Sequence, residues 1–260
     1  MTQAADRAFV RMEGVGHCYN PEGGPMAVQQ IDLEIHRHEF VAVVGPSGCG
    51  KSTLLRMVSG LLIPSAGKVS VFEKQVTEPR DDVGIVFQKP TLLPWLSIRK
   101  NVLFPLKHKF GRYSAKDEKR ADELLAMAGL AQFADHMPDE LSGGMQQRAG
   151  IVRALLLNPD ILLMDEPFSA LDAMTREQMG FDLLRIWSEN PKTVLFITHS
   201  ISEAVLLADR VLVMSQRPGT VLDLIDIDIP RPRSEQTIQT PEFAELTARI
   251  RKHIYEPEAH

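Results

Sequence analysis

An α/β fold wrapped around a phosphate-binding loop is what this sequence predicts, and three features predict it. The run Gly45 to Thr53, GPSGCGKST, fits G-x-x-x-x-G-K-[ST]. An apolar strand, Phe40 to Val44, leads into that run, and Ser52 to Ser59 after it reads as the first turns of a helix. Further short apolar strands then alternate with helical stretches down the chain. Such a loop lays polyphosphate against a helix N-terminus, where exposed backbone N–H groups and the positive end of the macrodipole favour negative charge. Gly48 and Gly50 leave room for close approach of the backbone, while Gly45, Pro46, Ser47, Cys49 and Thr53 fill the remaining positions of the loop. Lys51 adds a full charge, and the Ser52 hydroxyl is the expected Mg²⁺ ligand.

The first elements in order are two half-buried strands, Phe9 to Met12 and Ile31 to Ile35, whose apolar and polar residues alternate. Between them lies a turn-rich segment, Asn20 to Pro25, and just before it stands Tyr19. That aromatic is suited to stacking on a flat heterocycle, although a strand-end tyrosine taken by itself more often packs on the surface. Beyond the phosphate loop and its helix, Gly60 to Gly67 reads as a loop, and Lys68 to Phe72 and Val83 to Phe87 as strands, the second ending in Gln88. From Lys89 the sequence turns apolar and proline-interrupted, followed by a charged helix from Ala115 to Ala128 that opens with a Ser114 and Asp117 capping box. Residues 89–158 are read as a helical insertion in a single domain spanning 1–229.

The insertion carries LSGGMQQR, Leu141 to Arg148, running into an apolar-periodic helix. Ser142, Gly143 and Gly144 thus form a second glycine-bearing helix N-terminus suited to an anion. The strand Asp160 to Met164 ends in Asp165 and Glu166, and paired carboxylates there call for a cation or hydrogen-bond donors. A Mg²⁺-nucleotide meets that need, with Asp165 in the metal role and Glu166 placed to orient or deprotonate water. The loop PFSALD, containing Asp172, leads into a helix from Thr175 to Ser188. The strand Thr193 to Thr198 ends at His199, a candidate partner for a terminal phosphate. A strand pair, Arg210 to Met214 and Val221 to Ile227, closes around the turn Arg217 to Thr220. The tail, residues 230–260, opens with PRPR and holds an amphipathic helix from Pro241 to Tyr255.

Composition narrows the partners. With a net charge of −5 the 260-residue chain has no basic footprint for nucleic acid. Two cysteines far apart, one of them inside the phosphate loop, fit a reducing compartment. The N-terminal segment has no apolar core of signal-peptide length, and no run of about 18 apolar residues occurs, so a role at a membrane requires another chain to span it.

The motifs, their order and their spacing together resemble the ATP-binding-cassette ATPases across nearly the whole chain. Walker A at Gly45 to Ser52, Gln88, the LSGG signature at Leu141 to Gly144, the Walker B run Ile161 to Asp165 with Glu166, the SALD loop and His199 carry the likeness. The resemblance implies a P-loop NTPase (RecA-like) core with an antiparallel β subdomain and a helical insertion subdomain. It also implies ATP and Mg²⁺ as ligands, and two copies facing head to tail with each ATP between the Walker A of one and the signature of the other. In that arrangement Tyr19 stacks on adenine, Lys51 and the loop amides hold the β and γ phosphates, and Ser52, Gln88 and Asp165 meet the metal. Glu166 acts on the attacking water and His199 contacts the γ phosphate, while Ser142, Gly143 and Gly144 close over it from the second copy and Asp172 helps join the sites. The wording DEPFSALD is similar to importer subunits, and FQKPTLLPWLSIRKNV with the PRPR tail is similar to the nitrate, sulfonate and taurine group. Implied partners are integral membrane permease subunits and, through them, an extracytoplasmic solute-binding protein, which puts the chain in the cytoplasm on the inner face of the membrane. One departure is Met145, where the family's commonest signature has glutamine. A soluble cassette ATPase and an ATP-gated assembly module remain the alternatives. The chain lacks the long coiled-coil insertions or tandem cassettes of the first, and keeps Glu166 and His199 against the second.

Overall fold

The structure is a computed structural model that describes residues 8–20 and 24–255. The expected turn Asn20 to Pro25 lies partly outside the described residues, as do the first seven residues and the last five of the tail. In chain order the elements begin with strands β1 (Val10–Cys18), β2 (Met26–Ile35) and β3 (Phe40–Val44), helix α1 (Lys51–Val58), and strands β4 (Ala66–Val71), β5 (Lys74–Gln75) and β6 (Val83–Val86). Helices α2 (Ile98–Phe110), α3 (Ala115–Met127) and α4 (Gly143–Leu156) follow, then β7 (Ile161–Asp165), α5 (Ala173–Glu189), β8 (Thr193–Ile197) and α6 (Ile201–Leu207). Strands β9 (Arg210–Met214) and β10 (Val221–Asp226) and helices α7 (Glu235–Ile238) and α8 (Pro241–Tyr255) complete the chain. Two compact units result, Met1–Asp81 with Pro191–His260, and Asp82–Asn190.

The first unit combines two sheets. One is antiparallel, in the order β2-β1-β4-β5. In the other, β3 pairs in parallel with both β8 and β9, and β10 runs antiparallel to β9. All residues of β3 and β8 are buried, which is why both read as unbroken apolar runs rather than alternating ones. Phe40 and Phe196 lie side by side in this core with ring centroids 5.8 Å apart, and full burial stabilises by about 2 kcal/mol for each ring. Strand β1 is longer than its alternation suggests because its pairing with β2 shifts register three times between Met12 and Cys18. Gly14, at φ +56, makes one of these irregularities and donates its N–H to Asp32 at 2.7 Å. The period-2 pattern breaks there, so only the start of the strand is visible in sequence.

The PRPR segment anchors the tail. Arg233 is buried, and its guanidinium donates to the carbonyls of Val205, Leu206 and Ala208 at the end of α6 and to those of Ile227 and Ile229. Burial, with help from the neighbouring Arg231 charge, pulls its pKa down to about 10. Arg231 donates to the Leu207 carbonyl and to Asp209, so the last carbonyls of α6, which a helix end leaves without partners, are satisfied by the tail. Helix α8 buries Phe243 and Ile250 and leaves its charged residues Glu242, Glu245, Arg249, Arg251 and Lys252 exposed, matching the amphipathic pattern from Pro241 to Tyr255.

In the second unit β6 pairs in parallel with β7. Helices α2, α3 and α4 enclose an apolar cluster that includes Ile98, Val102, Leu103, Ala121, Leu125 and Val152. The Ser114 and Asp117 capping box forms in both directions, and α3 stops before Gly129, whose φ of +71 suits a residue without Cβ. Among the described residues no helix is long and apolar enough to cross a membrane.

Candidate functional site

The phosphate loop leaves the C-terminal end of β3, the middle strand between β8 and β9. Val43 stands opposite Ile197, so Gly45 and His199 both lie two residues past that register point, on neighbouring parallel strand ends. Thr198 donates its N–H to the Val43 carbonyl at 3.2 Å, and its hydroxyl bonds Glu203 and accepts the Ser200 N–H. His199 is therefore an exposed residue between two held neighbours, beside the loop.

Three positions in the loop need glycine. Gly45, Gly48 and Gly50 have φ of +156, +76 and +100. A Cβ on Gly50 would stand 2.3 Å from Val28 Cγ1, and one on Gly45 would stand 2.8 Å from the Met214 carbonyl oxygen. Gly50 is also the N-cap of α1, a helix without a side-chain cap and without an acidic residue in its first turn. The cradle and the uncapped helix end fit a phosphate chain. Lys51 is 5% exposed, and its Nζ donates to the Gly45 and Pro46 carbonyls, both at 2.9 Å, so the ammonium charge is fixed within the loop. Cys49 is fully buried, and desolvation pushes its thiol above the ordinary value despite the opposing pull of Lys51. Both cysteines are free. Tyr19 is 53% exposed, and its hydroxyl lies 3.0 Å from Thr53 Oγ1 on the first turn of α1. The half-exposed ring thus stands next to the phosphate loop, in T-shaped contact with His17 at a centroid distance of 4.7 Å.

The second unit gathers Gln88, Asp165 and Glu166. β6 and β7 are in register from Val83 with Ile161 to Val86 with Met164, which brings Gln88 and Glu166 to the same end of the pair. Gln88 Nε2 donates to Glu166 Oε2 at 3.2 Å. Glu166 has φ +47, a left-handed conformation that costs about 1–2 kcal/mol in a residue with a Cβ. Ser169 compensates by donating both its N–H and its hydroxyl to the Glu166 carbonyl, at 3.2 and 3.0 Å. Strain held by its surroundings at the end of a buried strand is a mark of a functional position. Among the described residues no three His, Cys, Asp or Glu side chains converge as a metal cage. Ser52 in the first unit, and Gln88 and Asp165 in the second, each carry an oxygen of the hard kind that Mg²⁺ accepts.

Ser142 caps α4 by accepting the Met145 N–H, and Ser142 and Gly143 are exposed. Open space surrounds the position where a Gly143 Cβ would be, whereas one on Gly144 would meet Thr175 Cγ2 at 3.2 Å. Met145 packs its side chain on the apolar helical cluster, so the polar reach of a glutamine is exchanged for packing while the backbone at Ser142 to Gly144 is undisturbed. Asp172 is the N-cap of α5, accepting the Thr175 N–H at 3.0 Å and its hydroxyl at 2.6 Å. Those bonds, the hydroxyl first, hold its carboxyl below the ordinary range.

Other residues of the site escape motif reading. Gly219 presses on the phosphate loop, since a Cβ there would lie 1.9 Å from the Cys49 carbonyl oxygen, and its own N–H and carbonyl bond Ala27 and Gln29. The turn around it was legible, but a buttress against a distant carbonyl has no spacing signal. Gln147 and Arg153 on α4 are of the same kind, each bonding backbone far off in sequence.

Residues 28–169 match the family model described as ABC transporter. A taurine import ATP-binding protein from Rhizobium johnstonii is 48% identical over 89% of this chain and 90% of its own length. A nitrate import ATP-binding protein from Synechococcus elongatus is 40% identical over 97% of this chain and 93% of its own. Among solved structures, the dimeric post-hydrolysis state of the ATP-binding cassette MJ0796 bound to ADP and Pi matches with a TM-score of 0.73 and 36% identity, over 85% of this chain and all of that one. With a phosphate loop, an antiparallel sheet and a helical subdomain in place, these likenesses show that the chain belongs to the ABC transporter family as an ATP-binding protein with an ABC ATPase domain.

Proposed function

We propose that two copies of this chain close head to tail on ATP and Mg²⁺ and that hydrolysis drives solute import through separate membrane subunits. The observation that carries this reading is the exposed, glycine-bearing N-terminus of α4. A helix end built to meet an anion, facing open space, suits a phosphate presented by another molecule. Lys51 and the loop amides hold the β and γ phosphates, and Tyr19 stacks on adenine. Ser52, Gln88 and Asp165 hold Mg²⁺, which neutralises charge on the phosphate oxygens. Glu166 orients and deprotonates water, and His199 steadies the γ phosphate. Ser142, Gly143 and Gly144 of the second copy complete the enclosure, and Asp172 lies where the copies join. We read residues 1–229 as one ATPase domain with 89–158 inserted, and 230–260 as a tail.

The importer reading draws on relatives named for taurine and nitrate import and on the segment Thr91 to Leu96. Trp95 is 69% exposed there, while Asn101 fixes the backbone of Leu93 from both sides by accepting its N–H and donating to its carbonyl. A rigid apolar ledge of this kind fits a cytoplasmic helix of a permease. Leu93→Asp is expected to leave the fold and the soluble ATPase intact and to cut the membrane-bound fraction about tenfold, as loss of one interface hot spot does. Unchanged sedimentation with membranes that carry the permease contradicts the docking assignment. The solute belongs to the nitrate, sulfonate and taurine group in this reading. Growth of a deletion strain on single nitrogen or sulfur sources identifies it.

A further inference from the structure

Between β6 and α2 the chain passes from Phe87 to Ser97 without regular structure, yet it is held at many points. Gln147, 3% exposed, donates from Nε2 to the Phe87 carbonyl at 3.1 Å, one residue before Gln88. Farther along the same helix Arg153 donates two bonds to Thr91, to its carbonyl at 2.6 Å and its hydroxyl at 2.9 Å. Helix α4 therefore grips the chain on both sides of Gln88. From α2, the fully buried Asn101 donates to the carbonyls of Leu93, Leu96 and Ser97 and accepts the Leu93 N–H. Helices α2 and α4 share one apolar cluster.

The residue types suit the task. A buried glutamine amide reaches a backbone carbonyl without adding charge, and a guanidinium fork takes two acceptors in a fixed geometry. Arg153 is half-buried, which pulls its pKa below the ordinary guanidinium value, and the bonds to Thr91 replace part of the water it gives up. The Gln88 backbone cannot shift relative to α4 unless these bonds break. Gln88 in turn reaches Glu166.

We propose that Gln147 and Arg153 are positioning residues that make Phe87 to Thr91 move as one body with α4, so that displacement of Ser142 to Gly144 is delivered to Gln88 and onward to Glu166. This rests on the roles proposed above for Gln88 and Glu166. It adds a direct mechanical path from the signature to the hydrolytic carboxylate, and from both to the permease ledge.

A double-mutant cycle on the purified full chain tests it, with phosphate release as the readout. Gln147→Leu keeps the side chain's bulk and removes the bond, so kcat falls about fivefold, as for one lost hydrogen bond, and KM for ATP stays within about twofold. Added to Gln88→Ala, the same change costs nothing more, because its route to Glu166 is already cut. Losses that multiply in the pair overturn the inference while leaving Gln88 in its role. Full kcat in Gln88→Ala removes that role and the inference together. Thr91→Val, at an exposed residue, deletes one acceptor of Arg153 without touching the core, and it is expected to show the same non-additivity with Gln88→Ala if Gln147→Leu does not fold. Additive behaviour there also overturns the proposal.

Discussion

Glu166→Gln keeps ATP bound but lowers phosphate release by a factor of about 10² to 10³, the contribution of a positioned general base. The substitution is close to isosteric and retains an oxygen to accept the Gln88 amide, so the contact at 3.2 Å survives. The left-handed backbone at φ +47 and the two Ser169 bonds to its carbonyl do not involve the carboxylate. What is lost is basicity alone. ATP then stays uncleaved between the halves, and the variant accumulates as a dimer on size exclusion with light scattering when ATP and Mg²⁺ are present. Rapid hydrolysis by this variant takes Glu166 out of the catalytic role.

Lys51→Ala weakens ATP binding about a hundredfold by calorimetry, the scale of one or two charge-assisted hydrogen bonds. Two effects add. The ammonium that offsets phosphate charge disappears, and the Gly45 and Pro46 carbonyls it now bonds lose their donor. Folding is expected to hold, since β3 and β8 are buried along their whole length and the Lys51 ammonium bonds residues of its own loop. Unchanged affinity contradicts the phosphate-loop assignment.

Much of this site was legible because each motif combines a rare local requirement with a fixed spacing. Gly45, Gly48 and Gly50 stand at backbone angles that side chains avoid, and Lys51 must follow them directly. Strand β3 and helix α8 have the boundaries read from sequence, one as an unbroken buried run and the other as a clean amphipathic stripe. Helix α6 carries no period in the sequence, because it has only seven residues and buries its last four, leaving no polar face to set one. The strand β4 starts two residues before the expected Lys68 because Gly67, at φ +72, is a turn residue by habit yet lies within the pairing with β1. The roles of Gly219, Gln147, Arg153 and Arg233 carry no signal in the sequence. All four act on or against backbone carbonyls, and a carbonyl carries no residue type for a pattern to find.

The PRPR segment has a structural role besides its likeness to the tail of the importer group. Arg231 and Arg233 close the end of α6, and α6 begins at the Ser200 cap directly after His199. The tail thereby steadies the helix that follows the histidine beside the phosphate loop.

The central claim is that each hydrolytic site is shared between two copies of the chain, and mixing two disabled variants tests it most directly. Lys51→Ala spoils the phosphate loop and keeps a sound signature. Ser142→Arg does the reverse, placing bulk and charge at the exposed cap of α4. At an ATP concentration that fills the unaltered loop and leaves the Lys51→Ala loop largely empty, neither variant alone should release phosphate. In an equal mixture, half of the dimers are mixed and each holds one sound site of two, so activity returns to about a quarter of the unaltered protein's. A mixture as inactive as its components would contradict the shared site and leave each chain to work alone.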